Sequence, residues 1–423
     1  VAKFAFASLL IALGTNCASA QLADSAWPDY GGGYLNQHRS PLLGFSSQPR
    51  VLWQFNLDSI GVPQVTQGYH QPILLPDGTI VLNSGGSSND QIMALNPNGT
   101  LRWFTDDSSL GPWLAASAAG HIYTIRHNYA TVGTERLRSL DFAGNGEWFA
   151  DLPNGLSSTQ NSPAIGRDGT IYAAADTAEL RAFTSTGAIS WTSAASGYYQ
   201  NPAIAVDGTI IDGGFALKSL APDGTVQWSY PLRTAAGKFP FYLPAAIGDD
   251  GTIFGGQLNH PNLVALTPQG AVKWNRTDLD GAPSIGINGD VYVVPETGIL
   301  HALNAETGTT RWTFASGKTD YYNVEGVTVD AAGNLYLANE QGIVNSLTPD
   351  GALRWSFDLA PAYDPILEPS APIIGNNGVV YVVGGFSNMF FALTGVPEPT
   401  TSGLAFLAAG WLAGIRRRRG VSC

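Results

Sequence analysis

Cysteine is nearly missing: Cys17 and Cys423 are the only two in 423 residues, which excludes a disulfide framework and a four-thiolate zinc site. Charge is scarce as well. Lys+Arg number 21 and Asp+Glu 33, together 13% of the chain, against about 25% in an average soluble domain. The net charge of −12 excludes a general nucleic-acid binder, which must replace counterions with basic surface. There is no Walker A loop, no GxGxxG, no GxSxG elbow and no HExxH, so the common phosphate, dinucleotide, acyl-transfer and zinc-hydrolase signatures are missing. In place of charge stand 50 Gly, 26 Pro and 11 Trp, with 44% hydrophobic and 11% aromatic residues. That is ample for a packed core and excludes wholesale disorder. Length alone suggests two or three domains.

The two ends read as addresses. Residues 1–20 carry Lys3, an apolar run from Phe4 to Leu13, and Ala18-Ser19-Ala20. A charged start, a short apolar stretch and a small-x-small exit describe a secretory signal cut before Gln21. At the other end, Pro397-Glu398-Pro399 precedes an apolar stretch from Gly403 to Ile415, followed by Arg416, Arg417, Arg418 and Arg419. Thirteen apolar residues fall short of the ~17–25 of a comfortable span, and the arginines hold that end on the cytoplasmic side. In this order the three features resemble a PEP-CTERM sorting tail. The resemblance implies cleavage and transfer by an exosortase-type enzyme, with membrane contact only through the tail before processing. An ordinary tail anchor is the alternative; either way the protein leaves the cytoplasm. Five of the 21 basic residues lie in these two end segments, so processing makes the protein more acidic still.

Between the ends one unit recurs. Its first turn appears as Asp77-Gly78, Ala119-Gly120, Asp168-Gly169, Asp207-Gly208, Asp250-Gly251, Asn288-Gly289, Ala332-Gly333 and Asn377-Gly378. Asp-Gly or Asn-Gly between alternating residues predicts two-residue hairpins, with Gly supplying positive φ. A second hairpin follows, with turn glycines read at Gly99, Gly146, Gly187, Gly224, Gly270, Gly308 and Gly351. It ends on Trp103, Trp148, Trp191, Trp228, Trp274, Trp312 and Trp355, spaced 37 to 46 residues apart. Two hairpins make four short strands, and a four-stranded period in the forties predicts a propeller blade. The eighth unit, from Pro372, stops at Gly395 without its Trp strand, while Val51 to Phe55 holds an orphan Trp strand with Trp53. One donated strand completes the last blade. The expected fold is therefore all-β: one eight-bladed propeller over residues 51–395, with a lead-in at 21–50 and a tail at 396–423. The tryptophans are read as structural, each covering ~150–250 Å² of a neighbouring blade, with Ala164, Ala174 and Ala203 leaving room. A closed ring of short hairpins also explains why Gly is abundant and charge rare.

The pattern Leu300-His301-Ala302-Leu303 to Trp312 resembles the PQQ-like propeller repeat, and Trp27-Pro28-Asp29-Tyr30-Gly31-Gly32 to Asn36-Gln37-His38-Arg39-Ser40-Pro41 is similar to the segment preceding blade one in that family. The family includes quinoprotein alcohol dehydrogenases and an outer-membrane assembly lipoprotein, so the resemblance implies a fold, while one scaffold hosts both enzymes and binders. The enzymes use a quinone, a nearby Ca²⁺ or similar cation, a catalytic Asp and often an adjacent Cys pair. No such pair exists here. Asp278-Leu279-Asp280 and Asp106-Asp107 read as loops rather than cation sites, which need several convergent oxygens. The histidines (His38, His70, His121, His127, His260, His301) show no paired-ligand spacing, and Glu325 with Asp320 is the one candidate carboxylate pair for glycan cleavage.

A binding surface is expected where the loops between blades gather at one mouth of the channel. Nine residues before the first turn Gly stand Tyr69, Tyr199 and Tyr242, flanked by His70, Tyr198 and Phe241, and the loop before blade seven adds Tyr321 and Tyr322. At this register the other blades carry different residue types, which marks a recognition rim rather than a repeat position. The expectation is an exported, monomeric, non-catalytic propeller with no cofactor or metal, binding an envelope or matrix protein or polysaccharide. A PQQ-dependent dehydrogenase holding PQQ and Ca²⁺ is the alternative.

Overall fold

The first turn of each unit closes a hairpin by a geometry one residue longer than the sequence predicts. In the computed structural model, which describes residues 21–60, 71–83, 91–105, 110–126, 134–153, 162–175, 179–194, 201–213, 216–231, 241–258, 261–295, 297–317, 326–359, 369–384 and 389–396, Leu75 N–H donates to Thr79 O at 2.8 Å and Gly78 N–H donates to Leu75 O at 2.9 Å. This is a three-residue loop: a type I turn at Pro76-Asp77, then Gly78 in the left-handed region at φ 81°. Aspartate is there for its side chain, not for positive φ. Asp77, Asp168, Asp207 and Asp250 each accept the N–H two residues on, from Thr79, Thr170, Thr209 and Thr252, at 2.9 to 3.0 Å. Only Asn377, at φ 61°, itself enters the left-handed region, followed by Gly378 at 72°.

These hairpins build eight four-stranded antiparallel sheets among the described residues. Blade one runs Ile73–Leu74, Ile80–Asn83, Ile92–Leu95 and Leu101–Phe104 from the axis outward; blade two runs Leu110–Ala116, His121–Arg126, Thr134–Asp141 and Gly146–Pro153. Blade eight is completed as expected. Its strand Met389–Gly395 pairs with Pro49–Asn56, from Pro49 opposite Gly395 to Asn56 opposite Met389. The core lies between blades as successive apolar clusters. One, for instance, joins Tyr123, Leu137 and Leu152 of blade two to Ile165, Ile171 and Phe183 of blade three. A short extra pair, Phe241–Tyr242 with Gln257–Leu258, decorates blade five. Among the described residues no helix is long and apolar enough to cross a membrane.

The outer-strand tryptophans join each blade to the next. A methyl placed on the turn glycine of the following blade (Gly99, Gly144, Gly187, Gly224, Gly270, Gly308, Gly351) would stand 2.5 to 2.7 Å from the indole of Trp53, Trp103, Trp148, Trp191, Trp228, Trp274 and Trp312 in turn. Trp53, Trp103, Trp191, Trp228, Trp274 and Trp312 also donate Nε1–H to the backbone carbonyls of Pro97, Phe142, Pro222, Pro268, Ala305 and Pro349, at 2.7 to 3.2 Å. Glycine is required twice over: for positive φ, and because a Cβ would collide with the ring. This corrects the turn glycine of blade two. It is Gly144, at φ 83°, four residues before its Trp as in the other six blades with this turn, while Gly146 opens the outer strand. Trp355 has no such turn to cover, because blade eight lacks that hairpin. Phe45 of the lead-in takes its place, stacked on Trp355 with centroids 4.9 Å apart and planes 11° from parallel.

Candidate functional site

The channel through the ring is occupied by the lead-in. The innermost strands carry axis-facing N–H groups that no blade can satisfy, and carbonyls of residues 27–42 accept them in circular order. Trp27 O takes Leu74 N–H (2.7 Å) in blade one, Pro28 O takes Ala116 N–H (2.8 Å) in blade two, and Tyr34 O takes Ile204 N–H (2.6 Å) in blade four. Leu35 O takes Ile247 N–H (2.9 Å), Gln37 O takes Ile285 N–H (3.0 Å), and His38 O takes Val329 N–H (2.8 Å), in blades five, six and seven. Blade three is met by a side chain instead: Arg167 lies 4.3 Å over the Tyr34 ring. Three successive glycines at positive φ, Gly31, Gly32 and Gly33, let the segment cross the axis between blades two and four. Asn36, itself at φ 50°, donates Nδ2–H to the carbonyls of Asn201 and Ala245. Arg39 donates to the carbonyls of Ile285 and Gly286 and pairs with Asp249 at 2.8 Å.

This threading buries ionisable groups. Asp29 lies inside, bridged to Ala115 of blade two. Loss of water pushes its carboxyl up to about 7, against a smaller pull from the Gly33 N–H, and its Oδ1 has no partner among the described residues. His38 is boxed by Tyr30 (centroids 5.3 Å, edge-on) and Trp27 (6.4 Å), and burial lowers it to about 4. It is neutral at pH 7. The inner-strand approaches add Ser162, Asn201, Ser284 and Ser370, all buried. Asn201 Oδ1 accepts the Ser162 N–H at 2.7 Å, and Ser284 Oγ accepts the Val327 N–H at 2.8 Å.

Of the expected rim, Phe241 and Tyr242 are placed by their backbone alone, beside Gln257–Leu258 of blade five. Tyr69, His70, Tyr198, Tyr199, Tyr321 and Tyr322 lie outside the described residues. So do residues 1–20, expected to form a secretory signal, Pro397, Glu398, Pro399 and Arg416 to Arg419, and Asp106-Asp107, Asp320 and Glu325. Asp278 is not a free ligand: Arg276 grips both its oxygens at 2.7 Å and holds its carboxyl below the usual range. The channel residues Asp29, Tyr30, Asn36 and His38 were not among the expected site residues. The signal that could have found them was the Gly31-Gly32-Gly33 run beside an aromatic-rich lead-in.

The residues described do not fit a quinone with its cation. Among them no group of three or more His, Cys, Asp or Glu side chains converges on a point. Of the charged groups that meet the lead-in, Asp29 would repel an anionic quinone when ionised, Arg39 is already committed to Asp249 and two carbonyls, and Arg167 lies over the Tyr34 ring.

The family profile described as outer membrane protein assembly factor BamB matches residues 133–277 and 214–394, which together span more than half the chain. The chain belongs to this family. No curated protein matches this chain, but solved structures do. BamB from Moraxella catarrhalis is 14% identical, with a TM-score of 0.59, covering 82% of this chain and 99% of that one. Quinohemoprotein alcohol dehydrogenase from Comamonas testosteroni is 14% identical, TM-score 0.67, over 88% and 81%. A europium-containing methanol dehydrogenase is 12% identical, TM-score 0.63, over 85% and 90%. At these identities the likenesses show the shared propeller fold and nothing finer.

Proposed function

We propose that this protein is an exported, non-catalytic propeller of the cell envelope or extracellular matrix that recognises a protein or polysaccharide through the loop face of its ring. The observation that carries the reading is the threaded channel. Residues 27–42 of this chain lie across the inner strands of six blades, and among the described residues no cluster of His, Cys, Asp or Glu stands ready for a cation. The ring is then a rigid mount whose variable part is its inter-blade loops, the usual division of labour between scaffold and recognition surface. Export follows from the secretory signal and PEP-CTERM-like tail, and an exosortase-type enzyme is the processing partner. The protein is monomeric, takes no cofactor or metal, and does not bind nucleic acid. The test pairs two titrations of purified protein. With PQQ and Ca²⁺, no saturable quinone absorbance and no dye reduction are expected; both appearing together establishes the dehydrogenase alternative. With envelope polysaccharide and envelope protein fractions, saturable binding is expected, weakened by Tyr199→Ala and Tyr242→Ala with the melting temperature unchanged. Loss of stability in those variants would make the tyrosines packing residues and refute the rim.

A further inference from the structure

Seven blades share a device that the eighth does without. One residue before the outer Trp they carry a polar side chain: Arg102, Glu147, Ser190, Gln227, Lys273, Arg311 and Arg354. One residue after the first turn Gly they carry Thr79, His121, Thr170, Thr209, Thr252, Asp290 and Asn334. In blades one, two, five and six these two positions hold each other at the turn end of the blade. Arg102 bonds Thr79, His121 pairs with Glu147 at 2.5 Å, Lys273 donates to Thr252 at 3.1 Å, and Arg311 pairs with Asp290 at 2.9 Å. Blade eight has Leu52 and Val379 there, which cannot.

The seam between blades eight and one holds instead a cavity of ≈ 340 Å³, walled by Ala26, Leu42, Leu52, Leu74, Val379 and Tyr381, within the size range of ligand pockets. It opens on the turn face, where Leu52 is 43% exposed and the exposed turn residues Asn376 and Asn377 border it. Tyr381 itself is only 3% exposed. Its ring is fixed by Phe390, stacked at 5.9 Å, by Trp53 at 5.9 Å, and by Gly375, where a Cβ would collide with the ring edge. At the same register in blade seven, the Tyr336 hydroxyl meets Asp330 and Arg354; that of Tyr381 has no partner among the described residues. Tyr123 and Tyr292 also hold unpartnered hydroxyls, but sealed from solvent, whereas Tyr381 lines the cavity. Burial pushes the Tyr381 hydroxyl up to about 12, so it stays protonated and able to donate.

A second donor of blade eight is unmet. Gly375 N–H closes its turn onto Val379 O at 2.8 Å, as Leu75 N–H does onto Thr79 O, so the N–H preceding each faces the axis. Leu74 and five other inner-strand residues give theirs to peptide carbonyls of the lead-in, and blade three meets Tyr34 through Arg167. The lead-in borders the cavity on arrival, at residues 24–26, and on departure, at residues 41–42. It contributes no carbonyl to Ile374, which has no acceptor among the described residues. Of the described residues lining the cavity, Asp24 alone is charged.

We propose that this seam holds an extended peptide of a partner protein, with a bulky apolar side chain against Leu52 and Val379, a carbonyl for the unmet donors and a basic residue beside Asp24. The lead-in sets the precedent, since six inner strands already take peptide carbonyls. A sugar fits less well, because the Tyr381 ring is buried and offers no face for stacking. The proposal rests on the reading of the ring as a scaffold that binds protein, and adds a site on the face opposite the expected loop rim.

The test is fluorescence anisotropy of three labelled, capped peptides with the purified full chain: Lys-Leu-Phe-Lys, Glu-Leu-Phe-Glu and Lys-Ser-Ser-Lys. Leu52→Arg installs the residue that blades one, six and seven carry, and Tyr381→Phe the one that blade five carries as Phe254, so the fold accepts both. The expected result is saturable binding of Lys-Leu-Phe-Lys over the other two, with the melting temperature of both variants unchanged. Leu52→Arg should weaken it about tenfold or more and Tyr381→Phe about fivefold. Binding that survives Leu52→Arg, equal binding of either other peptide, or no saturable binding would overturn the site. If Tyr242→Ala removes binding and Leu52→Arg does not, the peptide site is the rim, and the proposed function stands without the seam. Displacement of the probe by a synthetic peptide of residues 403–415 would assign the seam to this chain's own tail. Self-association abolished by Leu52→Arg would assign it to a second copy, and either result would overturn the partner protein.

Discussion

Replacing Asp29 by asparagine should make the ring more stable in a way that depends on pH. Asp29 is enclosed by the threaded lead-in, and burial raises its carboxyl from 3.8 to about 7. The folded protein therefore prefers the protonated acid. The cost of ionising it is absent below pH 3.8, grows as pH rises, and is complete above 7. About three pKa units at 1.36 kcal/mol each amount to about 4 kcal/mol at pH 8, an upper bound because the lead-in can shift to admit water. The amide removes the cost while keeping the shape and one acceptor. For a ring of this size roughly 1–2 °C accompanies each kcal/mol, so Asp29→Asn should melt about 5 °C above the wild type at pH 8 and within about 1 °C of it at pH 4. His38 cancels in this comparison, since its own penalty appears only as pH falls from 6.5 towards 4 and is common to both proteins. The assay is thermal melting of both proteins across pH 4 to 8, with the difference plotted against pH. A difference that is flat with pH, or a variant that melts below the wild type at pH 8, would refute the buried carboxylate held at a raised pKa.

Trp274, 8% exposed, donates to Ala305 O and covers Gly308; Trp274→Ala should cost about 3–5 kcal/mol in denaturant unfolding. Gly144→Ala forces a Cβ into the Trp103 indole at positive φ and should cost more than about 1 kcal/mol, whereas Gly146→Ala should be near neutral by the same measurement. Phe45→Ala removes the ring that covers Trp355 and should loosen the seam between blades seven and eight. Hydrogen exchange would then speed up in Leu353–Asp358 before any other outer strand.

The ring was legible because its signals repeat. Gly four residues before Trp recurs in seven units, and the shortfall at Gly395 matched the surplus strand at Trp53, so both blade number and closure could be counted. The turn geometry was not, because Asp-Gly serves two-residue and three-residue loops alike; only the Thr N–H that Asp77 accepts distinguishes them. Blade two misled for a similar reason. Gly144 and Gly146 flank Asn145, and hairpin chemistry alone permits either. The threading of the channel left no periodic trace, since the backbone carbonyls of Tyr34, Leu35 and Gln37 each meet a different blade, some two hundred residues away in sequence.

The decisive question is whether the lead-in fills the channel. Hydrogen-exchange mass spectrometry of the full chain, resolved to the inner strands, reads this through the amides of Leu74, Ala116, Ile204, Ile247, Ile285 and Val329, whose acceptors are carbonyls of residues 27–38. All six should exchange only as slowly as the most protected strands of the ring, and deletion of residues 21–42 should release them together. Rapid exchange at these amides in the intact protein would mean an open channel, and would contradict the threaded scaffold at its centre.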